Sequence, residues 1–313
     1  MRYRLLFLLI LAITFGCSDK EEQEDPAPTQ KPFQPVLPKL ERPEVILNEL
    51  AKGEFHNGTI SAIHLRIPGS PPRQWVFEPD ADRSKMRKVT RINPYYTCEE
   101  TQYTYRYHPG GLIDEIVSVR DDCKQYTVTW VYKYNYEQGL LVSITGKSFY
   151  NSATAKDETY YVVDNFFSYY PNGKVKDIYS SFRSAYHTWE YGFQRRTFAY
   201  DERGNITEVW VQEQTQADYH DKYTLEYDGN PNPLKGFFIV SSVQSEIPGV
   251  GFAPALGPRA LSNNCVVSIK TEKVNNSRPP FTEYLEHNAS GGRVVDFGNA
   301  EDTARGYRYL IFY

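Results

Sequence analysis

The sequence predicts an all-β fold, an antiparallel meander of repeated hairpins forming a strongly curved or barrel-like sheet. Three observations predict it. Its segments are built from Tyr, Val, Thr, Ile and Phe rather than Ala, Leu and Glu, a composition suited to pleated, half-buried strands. Apolar and polar residues alternate at period two. The clearest case is Gln125 to Tyr134, where Tyr126, Val128, Trp130, Tyr132 and Tyr134 share one side and Thr127, Thr129 and Lys133 the other. Finally, a short unit recurs at near-constant spacing, with its cleanest copy at Tyr200 to Val209, Tyr-Asp-Glu-Arg-Gly-Asn-Ile-Thr-Glu-Val.

Residues 1–16 carry Arg2 and Arg4, an apolar run from Leu5 to Phe15, and Gly16 just before Cys17. Positive charge, apolar stretch and small residue, in that order, make a secretory signal peptide. The run is too short to serve comfortably as a permanent membrane-spanning helix. Cys17 after a small residue resembles the lipobox of bacterial lipoproteins, with Thr14 where a Leu or Val is usual. That resemblance implies that Cys17 is lipidated and becomes the mature N-terminus. Ser18-Asp19-Lys20-Glu21-Glu22 resembles the acidic export signal of Bacteroidota lipoproteins, which implies an outer-membrane, lipid-anchored protein facing the cell exterior. Residues 17–44 hold Pro26, Pro28, Pro32, Pro35, Pro38 and Pro43 among charges, with few large apolar side chains, and read as an extended tether. A short helix from Glu44 to Ala51 is expected between Pro43 and Gly53. Residues 45–313 form the repeat β-domain. Its formal net charge of -4 for the whole chain and the lack of a basic cluster exclude a nucleic-acid partner.

With Gly204 as position zero, Ile206 lies two residues on and Val209 five on. The same apolar pair follows Gly58 (Ile60, Ile63), Ser84 (Met86, Val89), Gly111 (Ile113, Ile116), Gly139 (Leu141, Ile144) and Gly173 (Val175, Ile178). It follows Asn232 (Leu234, Phe237), Asn264 (Val266, Ile269) and Gly292 (Val294, Phe297) as well, which makes nine anchors. Aromatic-x-aromatic pairs precede most of them: Tyr105 with Tyr107, Tyr132 with Tyr134, Phe167 with Tyr169, Phe198 with Tyr200. Each unit reads strand, turn, strand, the anchor supplying the positive φ of a tight turn. The two apolar positions differ in parity, so they share a face only if a bulge intervenes or the first still belongs to the turn. A period of this length holds two strands of roughly ten residues with their turns, which implies about sixteen to eighteen strands.

Tyr200 to Val209 resembles the YD repeat of Rhs-type shell proteins. The whole arrangement is similar to Bacteroidota lipoprotein domains of porin-like fold, over roughly residues 55 to 313. Asn230 to Asn232 and Ser262 to Asn264 depart from the Gly-anchored turn. The resemblance implies structural positions and brings no catalytic residues.

Function, on this reading, lies where the repeat fails. Glu246 to Asn263 breaks the rhythm with Gly, Pro and Ala, and is expected to plug or cap one end of the sheet. Tyr186, His187 and Trp189 lie outside the anchors and are the candidate ligand-binding aromatics. Cys98 and Cys123 flank one hairpin and are a possible disulfide, directly opposed only if a bulge shifts the register. Cys265 is expected to be a small buried apolar residue. Gly146-Lys147-Ser148 lacks the earlier glycine of a P-loop. Asp80 and Asp82 lack the rest of a calcium loop. Asp218, His220 and Asp221 are the densest ligand-like cluster, more consistent with a polar strand end than with a metal. Asp302-Thr303-Ala304 matches an O-glycosylation pattern at Thr303. HExxH, CxxC and GxSxG do not occur, so no catalytic residue, metal or cofactor is assigned. The expected function is a surface-exposed, non-enzymatic binding or structural module for a glycan or peptide. The alternatives are a carboxylate-dependent hydrolase or an outer-membrane β-barrel.

Replacing Cys17 by Ser is expected to abolish incorporation of labelled palmitate and to move the protein from the detergent phase to the aqueous phase on partitioning. Palmitate retained on the variant would overturn the anchor.

Overall fold

The computed structural model describes residue 52 and residues 59–94, 100–122, 126–151, 158–184, 190–213, 221–235, 261–274, 278–300 and 308–313. The chain divides into a unit Met1–Phe33 and a unit Gln34–Tyr313, and the second holds every described residue. The expected helix at Glu44 to Ala51 and the loop from Glu246 to residue 260 lie outside the described residues.

Sixteen strands follow in chain order. The first eight are β1 (Ala62–Ile67), β2 (Ser70–Pro79), β3 (Met86–Ile92), β4 (Glu100–Tyr107), β5 (Ile113–Asp122), β6 (Tyr126–Glu137), β7 (Leu140–Asn151) and β8 (Glu158–Tyr169). The second eight are β9 (Val175–Ser184), β10 (Glu190–Tyr200), β11 (Ile206–Glu213), β12 (Asp221–Pro231), β13 (Asn264–Lys273), β14 (Phe281–Ser290), β15 (Arg293–Asn299) and β16 (Arg308–Phe312). Each pairs antiparallel with its neighbours in sequence, and β16 pairs with β1 to close a barrel.

Seven hairpins join an even strand to the next odd one at the same end of the barrel, and in all seven the register slips beside the turn. Tyr107 faces Ile113 whereas Arg106 faces Glu115, so Asp114 is an extra residue. Tyr136 and Leu141, Tyr169 and Val175, Tyr200 and Ile206, Tyr227 and Val266 are offset in the same way from the pairs behind them. So are Pro79 and Met86, and Ala289 and Val294. This bulge resolves the parity conflict by turning both apolar residues of each unit inward. Met86 and Val89, Ile113 and Ile116, Leu141 and Ile144, Val175 and Ile178, Ile206 and Val209, Val266 and Ile269, and Val294 and Phe297 are all at most 4 % exposed. Asn232 is the exception among the anchors: it opens a turn rather than a strand, and Leu234 enters the core from there.

The bulge also presents a main-chain carbonyl to the next hairpin, and a tyrosine takes it. Tyr107 Oη donates to Met86 O (2.5 Å), Tyr136 to Ile113 O (2.6 Å), Tyr169 to Leu141 O (2.7 Å), Tyr227 to Ile206 O (2.6 Å) and Tyr313 to Val294 O (2.9 Å). Every acceptor is the first apolar residue after an anchor. Each bond ties neighbouring hairpins together at the end where no turn joins them.

The Tyr-Asp-Glu-Arg-Gly-Asn unit now has a physical account. Asp201 Oδ1 accepts from the Asn205 amide (2.7 Å), closing the turn. Gly204 has φ +87°, and a Cβ there would lie 2.6 Å from Asn263 Nδ2, which itself donates to Arg203 O. Buried Asn205 bonds Asn264 through both its amide atoms, and Ser262 Oγ accepts from the Ile206 amide. The turn therefore seats the base of the long loop that interrupts the rhythm.

Closure depends on β16. It makes five residue pairs with β1, from Ala62 with Phe312 to Arg66 with Arg308, but two with β15. In β4 and β5 the paired residue numbers add to 221 from Thr101 with Arg120 to Arg106 with Glu115, and so do those of Cys98 and Cys123. The register needed for the disulfide is thus the one adopted by the described residues, although both cysteines lie outside them. Cys265 is buried, and its Sγ donates to Pro231 O (3.6 Å), in keeping with a packing role.

Tyr136→Phe is expected to cost about 1–2 kcal/mol in urea unfolding, because it orphans a buried carbonyl, whereas Tyr284→Phe at an exposed position should cost almost nothing. Equal effects would remove the latch from the account. Deleting Arg308–Tyr313 should expose the edges of β1 and β15 and convert a monomer into aggregate on size exclusion. Mass before and after reduction, with alkylation, reads the Cys98–Cys123 bond: alkylation of both Cys98 and Cys123 without reductant would refute it.

Candidate functional site

The inner wall changes chemistry along its depth. On β3 the inward series runs Met86, Val89, Arg91; on β4 Tyr105, Tyr103, Thr101; on β5 Ile116, Ser118, Arg120. On β8 to β10 the apolar Phe167, Ile178 and Phe198 give way to Asn165, Ser180, and Arg196 with Gln194. Large aromatic and branched side chains fill the end that holds the bulged turns. Beyond them the inward positions mix Arg91, Thr101, Ser118, Arg120, Asn165, Ser180 and Arg196 with Trp75, Val128, Trp130, Val163 and Val211. A sixteen-stranded circumference is wide enough for a lumen, so the filled half reflects side-chain size.

The first polar patch lies on β3 to β6. Arg91, Thr101 and Arg120 are directly paired across three strands, which places the two arginine backbones about 10 Å apart at normal strand spacing. Tyr103 lies one pair nearer the core, opposite Ser118. Burial pushes the Tyr103 hydroxyl pKa up, while Arg91, a hydrogen bond with Ser118 and Arg120 pull it down, so all four groups act on one point. Opposite Ser118 on β6 is Trp130, half-buried and stacked on Tyr132 with centroids 5.7 Å apart and planes at 6°.

The second patch lies on β8 to β10. Asn165 is fully buried and faces Ser180, which faces Gln194. Among the described residues, neither Nδ2 nor Oδ1 of Asn165 has a hydrogen-bond partner, and neither does Ser180 Oγ. Arg196 donates from Nε to Gln194 Oε1 (2.7 Å). Burial pushes the Arg196 pKa down to about 9, with Tyr223 pulling it up, which still leaves a cation at neutral pH.

Of the Asp218, His220 and Asp221 cluster, only Asp221 is described. It pairs across the strands with Lys273 (2.7 Å) and accepts from Tyr223 Oη (3.3 Å), an ion pair rather than a metal ligand. No group of three or more metal-ligating side chains occurs among the described residues. Asp80 accepts from the amides of Ser84 and Lys85 and from Ser84 Oγ, so it organises a turn. Gly146-Lys147-Ser148 lies within β7. A Cβ on Gly146 would meet the Tyr132 ring at 2.7 Å, and Ser148 Oγ accepts from the Tyr161 amide.

Cys17, Cys98, Cys123, Tyr186, His187, Trp189 and Thr303 lie outside the described residues. Sequence reasoning missed Arg91, Arg120, Asn165, Ser180 and Arg196. The repeat held a usable signal. Counted from the anchor, the described inward positions seven residues on are Leu65, Arg91, Ser118, Gly146, Ser180, Val211, Thr271 and Asn299. That phase is polar or small at six of these eight units.

Comparison with protein-family models finds no match, and comparison with curated proteins finds none. Among solved structures, the chain is similar to a porin-like protein from Bacteroides vulgatus, with 13% identity, 81% of this chain and 98% of that one covered, and a TM-score of 0.51. A porin-like protein from Bacteroides uniformis has 12% identity, coverage of 84% and 98%, and a TM-score of 0.44. The Bacteroides vulgatus likeness is one of fold, and it agrees with the closed antiparallel barrel.

Proposed function

We propose that this chain is a non-enzymatic binding module, a water-facing barrel tethered through Cys17 to the outer membrane, with a glycan as ligand of the inner wall beyond the core. One observation carries the reading: polar side chains enter the inner wall beyond the core, and the outer wall carries ion pairs. Arg106 and Lys133 both reach Glu115 on the outer surface (2.6 and 2.9 Å), Arg195 reaches Asp177 (3.1 Å), Lys222 reaches Glu208 (2.5 Å) and Arg183 reaches Asp164 (3.4 Å). These pairs lie on β4 to β6 and β8 to β12, with Lys133, Asp164 and Arg195 in mid-strand. A lipid-facing wall carries an apolar band there, and an Arg or Lys at the bilayer midplane costs about 2–4 kcal/mol. Water solvates such a surface without that penalty.

A second reading is an outer-membrane β-barrel. The observation that favours it is the sixteen-strand closure together with the fold likeness to a protein described as porin-like. Outward Leu310 and Phe312 on the closing strand also suit it. The outer ion pairs oppose it.

Residues 44–313 expressed alone are expected to give a monomer in buffer without detergent and not to insert into liposomes. Aggregation rescued only by detergent would favour the second reading. On a glycan array beside a broad hydrolase screen, the binding module should retain a glycan without turning it over; turnover without stable retention would favour the hydrolase.

A further inference from the structure

We propose that a groove on the outer wall, beside the turn between β1 and β2, binds a small aromatic carboxylate, its anion on Arg66 and its ring against Pro72 and Leu310. This groove lies apart from the inner wall and does not depend on a glycan binding there.

The groove has a backbone origin. Leu65 pairs with Arg73 and Ile67 with Ser70, so Arg66 faces both Pro71 and Pro72. A proline has no N–H to give to the ladder, and a bulge that sets two residues against one opens the pairing at that point. Gly69, with φ +72°, makes the turn between the two strands. The result is a cavity of about 620 Å3 lined by His64, Arg66, Pro71, Pro72 and Leu310 together with the turn. That volume lies within the roughly 300–1,000 Å3 of small-molecule sites. The fixed φ of Pro68, Pro71 and Pro72 stiffens its rim, so little backbone freedom is lost when a ligand enters.

Charge supplies the second observation. Arg66 is directly paired with Arg308 of β16, and like charges opposite each other on one face repel. Arg308 is neutralised by Asp296 and Glu286. Arg66 is exposed, and among the described residues no hydrogen bond or ion pair engages it. Its planar fork is therefore open to a carboxylate, which such a fork holds through two parallel charge-assisted hydrogen bonds. His64 stands two residues back on the same outward face, its ring centroid 4.5 Å from that of Phe312. Burial lowers the His64 pKa, so at pH 7 the imidazole is a neutral N–H donor and does not add to the repulsion.

The rest of the lining decides the ligand class. Ile67, Pro68, Pro71, Pro72 and Leu310 are apolar, and Ser70 carries the one hydroxyl among the lining residues. A sugar would leave most of its hydroxyls unbonded against such a wall, and an inorganic anion would make no use of it. A planar ring that carries a carboxylate matches both halves: proline and leucine C–H groups meet its face while the guanidinium meets its charge.

Titration calorimetry on the full mature chain with phenylacetate, phenylethanol and acetate tests the site. Phenylacetate is expected to bind at least about tenfold tighter than either of the others. Arg66→Gln should bring phenylacetate down to the level of phenylethanol while leaving the alcohol unchanged, and Pro72→Ser should weaken both. Amide NMR shifts at Gly69 and Ser70 on adding phenylacetate should mark the groove, and shifts confined to other strands would overturn the placement. Equal affinity for phenylacetate and phenylethanol would remove Arg66 from the account. Acetate or inorganic phosphate bound as tightly as phenylacetate would overturn the aromatic part. Arg66-dependent retention on phosphatidylglycerol vesicles, with no heat from phenylacetate, would give the groove to a lipid headgroup instead. No heat from phenylacetate at millimolar concentration and no retention on vesicles would overturn the site altogether.

Discussion

The bulge beside each hairpin turn is the constraint on which the rest of the barrel depends. One extra residue lets the apolar positions two and five after an anchor face the same way, and without it half of the core would point into water. Seven such bulges at one end concentrate the large side chains there. The same bulge leaves a carbonyl at Met86, Ile113, Leu141, Ile206 and Val294 that the ladder does not use, and the tyrosine of the next hairpin accepts the task of satisfying it. Turn, core and inter-hairpin bond are thus consequences of one local distortion.

That arrangement divides the interior. Where the bulges lie, aromatic and branched residues meet and exclude water; further along β3, β5, β9 and β13 the inward phase passes to Arg91, Ser118, Ser180 and Thr271. The core supplies the stability, and the shorter polar side chains beyond it are free to differ from strand to strand. On the outward face, Glu115 lies between Arg106 and Lys133, and Asp177 between Ser168, Arg195 and Thr197. Isolated surface pairs add little stability. Lys133 and Arg195 are the members of these two clusters that stand in mid-strand.

Much of the scaffold was legible from residue types alone. Anchors at regular spacing placed the strands, and the alternation in Gln125 to Tyr134 named the inward face that Val128, Trp130, Tyr132 and Tyr134 take in β6. Asn232 reads as an anchor because it precedes Leu234 correctly, yet it begins a turn, held by bonds to Ser262 and Asn263 that are distant in sequence. The candidate site was less legible. Trp189 stood out as an irregularity, whereas Arg91, Arg120 and Asn165 occupy regular strand positions and look like ordinary solvated polar residues until the sheet closes around them.

The sequence by itself determined the period, the strand count to within two and the inward phase of β6, because these follow from local backbone preferences and two-residue alternation. Only the tertiary structure decided that β16 pairs with β1, that a bulge places both apolar positions inside, and that arginines from β3 and β5 share one wall. Closure and register are set by contacts between residues up to 251 apart, such as Ser61 with Phe312, and no local propensity encodes them.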